Sequence, residues 1–168
     1  MPAIIVYFSR PGNNYVNGEI RNLPVGNTEV AAQMLQELTG AELFRIETLV
    51  RYSEDYSECT EQALRDQKRD ARSELVRYPA GMEAFDTVYL AFPNYWNTMP
   101  MGVFTFLEKY DFTGKTILPL CTHEGSGMGQ SESDILRLCP GAILKRGLAI
   151  HGAEVQSARP LIKKWIEQ

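Results

Sequence analysis

Five stretches of this chain are apolar without alternation, and that pattern restricts the fold more than any other feature. Residues 3 to 8 read Ala-Ile-Ile-Val-Tyr-Phe, as a strand covered on both faces requires. The signature returns at Leu43 to Ile46, Thr87 to Phe92, Ile117 to Cys121 and Ala142 to Ile150, the last broken by Lys145-Arg146. Strands of this kind belong to parallel sheets held between two helical layers. Amphipathic segments fill the gaps. Val30, Ala31, Met34, Leu35 and Leu38 share one helical face, with Thr28 near its start and Gly40 just past its end. A charge-dense stretch from Thr60 to Arg77 offers Ala63, Leu64, Ala71 and Leu75 as an inner side. Pro100 opens a helix carrying Val103, Phe104 and Leu107; Gln130 or Ser131 opens one with Ile135 and Leu138; Pro160 opens the last, with Leu161, Ile162 and Trp165. The order βαβαβαβαβα, with right-handed crossovers, predicts an α/β three-layer sandwich around five parallel strands. Pro119 falls inside the fourth run, where its missing N–H predicts a bulge.

The length of 168 residues, with 44% hydrophobic and 23% charged, fits one globular domain and excludes disorder or a disulfide-built miniprotein. Net charge is −4; residues 1–84 hold thirteen acidic against nine basic side chains, and the later half eight of each. That sign is wrong for a phosphate backbone, so no nucleic-acid partner is expected. No apolar run approaches the ~18 residues that span a bilayer, and no charged signal head precedes the first strand. The expectation is a soluble cytoplasmic protein without membrane insertion. Cys59, Cys121 and Cys139 lack CxxC spacing, and with two histidines they make no zinc set, so they read as reduced structural thiols.

In open parallel sheets, ligands bind beyond the carboxyl ends of the strands where strand order reverses. The loops after the first, third and fourth strands are the unusual ones. After the first come Ser9-Arg10, a 14-residue stretch from Pro11 to Pro24, and Val25-Gly26-Asn27-Thr28. No Walker sequence or GxGxxG is present. Hydroxyls and an amide around a helix N-terminus either suit a phosphate dianion or merely cap the helix. After the third strand, Pro93-Asn94-Tyr95-Trp96-Asn97 sets two large aromatic rings in a loop, suited to stacking on a planar ligand or to folding back as core. After the fourth, Thr122-His123-Glu124-Gly125-Ser126-Gly127 either lets backbone approach a ligand closely or forms a plain flexible turn. All three loops converge on one edge of the sheet.

Together, Ser9-Arg10 continued by Gly26-Asn27-Thr28, the Tyr95-Trp96 loop and Thr122 to Gly127 resemble the three cofactor loops of flavodoxins, over essentially the whole chain. The resemblance implies a flavodoxin-like sandwich of strand order 2-1-3-4-5, taken from that family rather than from these residues, and FMN as the cofactor. By position, Ser9, Arg10, Gly26, Asn27 and Thr28, with Val25 leading in, would hold the phosphate. Pro93, Asn94, Tyr95, Trp96 and Asn97 would flank the isoalloxazine, Tyr95 or Trp96 stacking on it and backbone groups of Asn94 to Asn97 bonding flavin N5. Thr122, His123, Glu124, Gly125, Ser126 and Gly127 would meet the pyrimidine edge, where Glu124 would oppose an anionic reduced ring and lower its potential. The family's phosphate loop is compact, whereas residues 11–24 interrupt it here. That insertion is either a flap over the phosphate or ribityl side, with Asn14 and Tyr15 closest, or a surface decoration. The implied function is a low-potential electron carrier between a reductase and an acceptor protein, as a monomer or weak dimer. The alternative on the same fold is an FMN-dependent NAD(P)H:quinone-type oxidoreductase.

Overall fold

A computed structural model describes residues 2–168. In chain order, strand β1 (Ala3–Tyr7) is followed by a hairpin of β2 (Gly12–Val16) and β3 (Glu19–Leu23), helix α1 (Asn27–Thr39), β4 (Glu42–Arg45) and α2 (Tyr56–Lys68). Then come β5 (Thr87–Pro93), α3 (Met101–Lys109), β6 (Thr116–His123), α4 (Ser131–Leu138), the short strands β7 (Ile143–Leu144) and β8 (Leu148–His151), and α5 (Arg159–Ile166). The central sheet runs β4-β1-β5-β6, with β7 and β8 both on the far edge of β6, and its pairings are parallel. That is the expected order 2-1-3-4-5.

Alternation within the apolar runs explains their composition. Ile4 and Val6 of β1 face a core completed by Val103, Phe106 and Leu107 of α3 and Ile135 of α4. Ile5 and Tyr7 face the opposite core, with Ala31, Ala32 and Leu35 of α1 and Ile162 and Trp165 of α5. Successive side chains on a strand point to opposite faces, so two covered faces demand apolar residues at every position. Helix α1 stops at Gly40, whose φ of 70° lets its N–H close on the Gln36 carbonyl at 2.8 Å.

Three expectations are corrected. The sheet has six strands rather than five, because Lys145-Arg146-Gly147 divides the last run into β7 and β8. Pro119 causes no bulge in β6, which pairs with β5 residue for residue from Thr116 to Thr122. The Lys145 N–H donates to the Ile117 carbonyl, so Ile117, and two residues on Pro119, present their polar groups to the β7–β8 edge. The missing N–H is met by a break in the neighbouring strand instead. Helix α2 begins at Tyr56, capped by the Asp55 carboxylate accepting from Glu58 N–H at 2.9 Å. It ends before Asp70, whose φ is 51°. Leu75 is buried all the same, through an antiparallel bridge to Thr48, so the apolar spacing that suggested a continuous helix comes from two separate elements. Residues 11–24, read as either a flap or a surface decoration, have regular structure of their own. They hold the β2–β3 hairpin, a two-stranded sheet of its own turned by Asn17 and Gly18 at φ 52° and 87°, the signature of a type I′ turn. No helix among the described residues is long and apolar enough to cross a membrane.

Candidate functional site

A cleft of ≈ 730 Å³ opens at the carboxyl ends of β1, β5 and β6. Ser9, Arg10, Asn27 and Thr28 line it from the first connection, Pro93 to Asn97 from the second, and Thr122, His123, Glu124 and Ser126 from the third. Val25 is exposed outside it, and Gly26, Gly125 and Gly127 do not line it. Thr122 and His123 are the last residues of β6, and Pro93 the last of β5, rather than loop residues.

At the start of α1 neither Asn27 nor Thr28 caps the helix. Both lie inside its first turn, and Gly26 occupies the cap position with no side chain to offer. The Glu29 N–H donates to Ser9 Oγ at 3.1 Å. For the N–H groups of Asn27 and Thr28 there is no acceptor among the described residues, so the positive end of the helix faces the cleft with free donors, a ready anion site. Thr28 Oγ1 turns inward, 2.8 Å from Thr122 Oγ1, joining the first connection to the third. Arg10 is already engaged: its guanidinium donates to the carbonyls of Ser53 and Glu54 at 3.0 and 2.9 Å, and to that of Asn13. It therefore braces the segment before α2 and the hairpin base.

The second connection is a tight turn. Tyr95 and Thr98 exchange backbone bonds around Trp96 and Asn97, both at positive φ (50° and 73°). Asn94 holds the turn to the third connection, its Nδ2 donating to the Gly127 carbonyl and its Oδ1 accepting from Asn97 N–H, each at 2.9 Å. The two rings part company. Tyr95 packs edge-on against Phe8, and its hydroxyl is buried without a partner among the described residues. Burial raises its pKa, which keeps the hydroxyl protonated. Trp96 stays half exposed, with its indole N–H donating to the Thr60 carbonyl at 2.8 Å.

In the third connection the Gly125 N–H donates to His123 Nδ1 at 2.8 Å, which leaves Nε2 as the protonated nitrogen of the neutral ring. Burial, and then the adjacent His151, lower the pKa of His123, while Glu124 and Glu154 oppose the shift. The Glu124 carboxylate is drawn to the hairpin tip, accepting from Asn17 N–H at 2.7 Å, and toward Asn27 at the start of α1. The carboxylate thus lies between the hairpin tip and the start of α1.

One wall has no counterpart among the expected site residues. Tyr56, Cys59, Thr60, Ala63 and Gln67 of α2 close one side, and nothing in their local sequence marks them, because their position depends on how α2 packs. The hairpin closes another through Asn14 and Tyr15, the two residues singled out for a flap, with Tyr15 stacked on Tyr56 at 6.1 Å. Asn17-Gly18 was the available signal for this hairpin. Cys59 is buried with a raised pKa, burial outweighing the opposing Arg10. No group of three or more His, Cys, Asp or Glu among the described residues could hold a metal ion.

A doubly wound parallel sheet with one ligand cleft at its strand-order reversal, and an uncapped helix start aimed into it, defines a nucleotide-cofactor protein of the α/β class. The chain belongs to the flavodoxin family: the family profile described as Flavodoxin matches residues 23–168, beginning where the hairpin ends. Among solved structures it is similar to a candidate flavoprotein from Bacteroides uniformis, at 25% identity and TM-score 0.74, covering 99% of this chain and 98% of that one. It is also similar to a flavoprotein in complex with FMN from Lactobacillus acidophilus, at 16% identity and TM-score 0.64, covering 93% and 97%. An oxidised flavodoxin 2 from Bacillus cereus shares the fold at 16% identity and TM-score 0.54, covering 99% of each chain. No curated protein sequence matches it.

Proposed function

We infer that the chain is an FMN flavoprotein that carries electrons between redox protein partners. The observation that carries the cofactor is the α1 start. Gly26 there is pressed so closely on the first connection that a Cβ would lie 2.3 Å from Ser9 Oγ and 2.8 Å from the Arg10 carbonyl oxygen. That leaves the Asn27 and Thr28 amides unobstructed to cradle a phosphate dianion. FMN, when bound, supplies reversible one- and two-electron chemistry. The chain's own residues would then hold and shield it: Ser9, Asn27 and Thr28 at the phosphate, Asn94 fixing the 93–97 turn against the ring, Trp96 at the exposed rim, and Tyr15 and Tyr56 excluding water from above. A carrier must present its reactive edge to a partner, and the half-exposed Trp96 and Tyr15 at the mouth leave such an approach open.

A second reading, an FMN-dependent NAD(P)H:quinone-type oxidoreductase, is favoured by one feature. A further cavity of ≈ 670 Å³ shares Ser9, Arg10 and Tyr95 with the cleft, which is room for a second small molecule beside the cofactor. Mixing the FMN-loaded protein anaerobically with NADPH decides between them. Persistence of the yellow oxidised spectrum is the result expected for a carrier, rapid bleaching without an added reductase supports the enzyme, and a protein that takes up no FMN refutes both.

A further inference from the structure

Among the described residues, two buried side-chain oxygens lack a hydrogen-bond partner, Tyr95 Oη and Glu124 Oε2. The second is the more telling, because an ionised carboxylate oxygen can only accept and is costly to bury unpaired. Its twin, Oε1, is satisfied by the Asn17 N–H across 107 residues of chain, tying the hairpin tip to the third connection. The carboxylate reaches the cleft wall beside Asn27: a Cβ on Gly152 would stand 2.4 Å from Glu124 Oε2 and 2.5 Å from Asn27 Nδ2, so the absence of a side chain at residue 152 is what admits both groups.

We propose that Glu124 Oε2 accepts a hydrogen bond from a hydroxyl of the cofactor's ribityl chain, so that one carboxylate reads the polyol with one oxygen and latches the hairpin with the other. This rests on the FMN reading above. The phosphate itself cannot be the partner, since two anions that only accept repel each other. The ribityl chain is what leads away from a phosphate at the α1 start, and each of its hydroxyls both donates and accepts. One such group can therefore give its proton to Glu124 Oε2 while accepting from Asn27 Nδ2. A hydroxyl bound there holds the carboxylate in place under Asn17, and hairpin closure becomes coupled to the presence of the polyol.

The test compares FMN with an isoalloxazine carrying an unbranched, hydroxyl-free pentyl chain that ends in phosphate, by quenching of flavin fluorescence. The wild type is expected to prefer FMN by about tenfold or more, the range of a hydrogen bond to a charged group, and Glu124→Ala to lose that preference. In the wild type, amide exchange at Asn17 should slow with FMN and much less with the hydroxyl-free compound. A wild type indifferent to the hydroxyls, or a Glu124→Ala protein that keeps the full preference, overturns the proposal. Should Glu124→Ala fail to fold by circular dichroism, the isosteric Glu124→Gln decides on the same comparison, with a several-fold fall in preference expected and an unchanged one refuting. A wild type that binds neither compound refutes the cofactor reading and this inference with it.

Discussion

Replacing Gly26 by alanine probes the cradle with a single methyl group. Gly26 has φ −63° and ψ 153°, a conformation open to any residue, so the substitution brings no backbone strain of its own. What it brings is contact: the new Cβ would stand 2.3 Å from Ser9 Oγ and 2.8 Å from the Arg10 carbonyl oxygen. The hydroxyl can rotate away, at the expense of its bond from Glu29 N–H. The carbonyl cannot, so the loop must retreat by a few tenths of an ångström. Overpacking of this kind costs about 1–3 kcal/mol of stability. The same retreat misaligns the Asn27 and Thr28 amides, and losing one hydrogen bond to a charged group, about 1.5–3 kcal/mol, weakens FMN binding by roughly 10- to 150-fold. Gly40→Ala is the control. Gly40 sits at φ 70° with nothing within 4 Å of a built Cβ, so it should lose a similar about 1–2 kcal/mol through backbone strain while binding FMN normally. Urea unfolding and flavin-fluorescence titration of both variants supply the two numbers. A Gly26→Ala protein that binds FMN as tightly as the wild type would refute the reasoning.

Two more consequences follow from named contacts. His123 is held neutral, with a folded pKa below its unfolded value of about 6.5. The unfolded chain therefore binds more protons in that window, so this part of the stability is complete above about pH 6.5 and falls as pH drops toward the folded pKa. In His123→Asn the amide oxygen can still accept from Gly125 N–H, so urea midpoints measured from pH 7.5 to 5 should fall less steeply than in the wild type; parallel slopes would exclude the role. Trp96 borders the cleft half exposed, while Trp165 is buried in the α1–α5 core. Trp96→Phe should consequently remove the larger part of the tryptophan quenching that FMN produces, and retention of that quenching would show that the cofactor lies away from the 93–97 turn.

Local physics accounts for what could be read without coordinates. The two-faced apolar runs set a buried parallel sheet, helical periodicity with Gly40, Pro100 and Pro160 marked the helix ends, and the segments around the carboxyl ends of β1, β5 and β6 supplied most of the cleft's lining. Each of those signals spans only a few residues, because pleat, helix pitch and backbone sterics act over that range. The Asn17-Gly18 turn belonged to the same class of signal, but Asn13 and Asn14 disguised the alternation of its strands.

Other features depended on packing between distant segments. The spacing of Ala71 and Leu75 matched a helix that in fact ends before Asp70, since a bridge from Thr48, in the segment after β4, buries Leu75 equally well. Pro119 moved its disruption into the adjoining strand. Helix α2 became a wall of the cleft, Arg10 was spent on backbone carbonyls, and Glu124 was drawn to Asn17 and Asn27. Composition and periodicity determined which layers form and in what order. Which side chains meet across the cleft was left to the folded molecule, because a hydrogen bond between groups 107 residues apart exists only once burial has set the orientation of the elements that carry them.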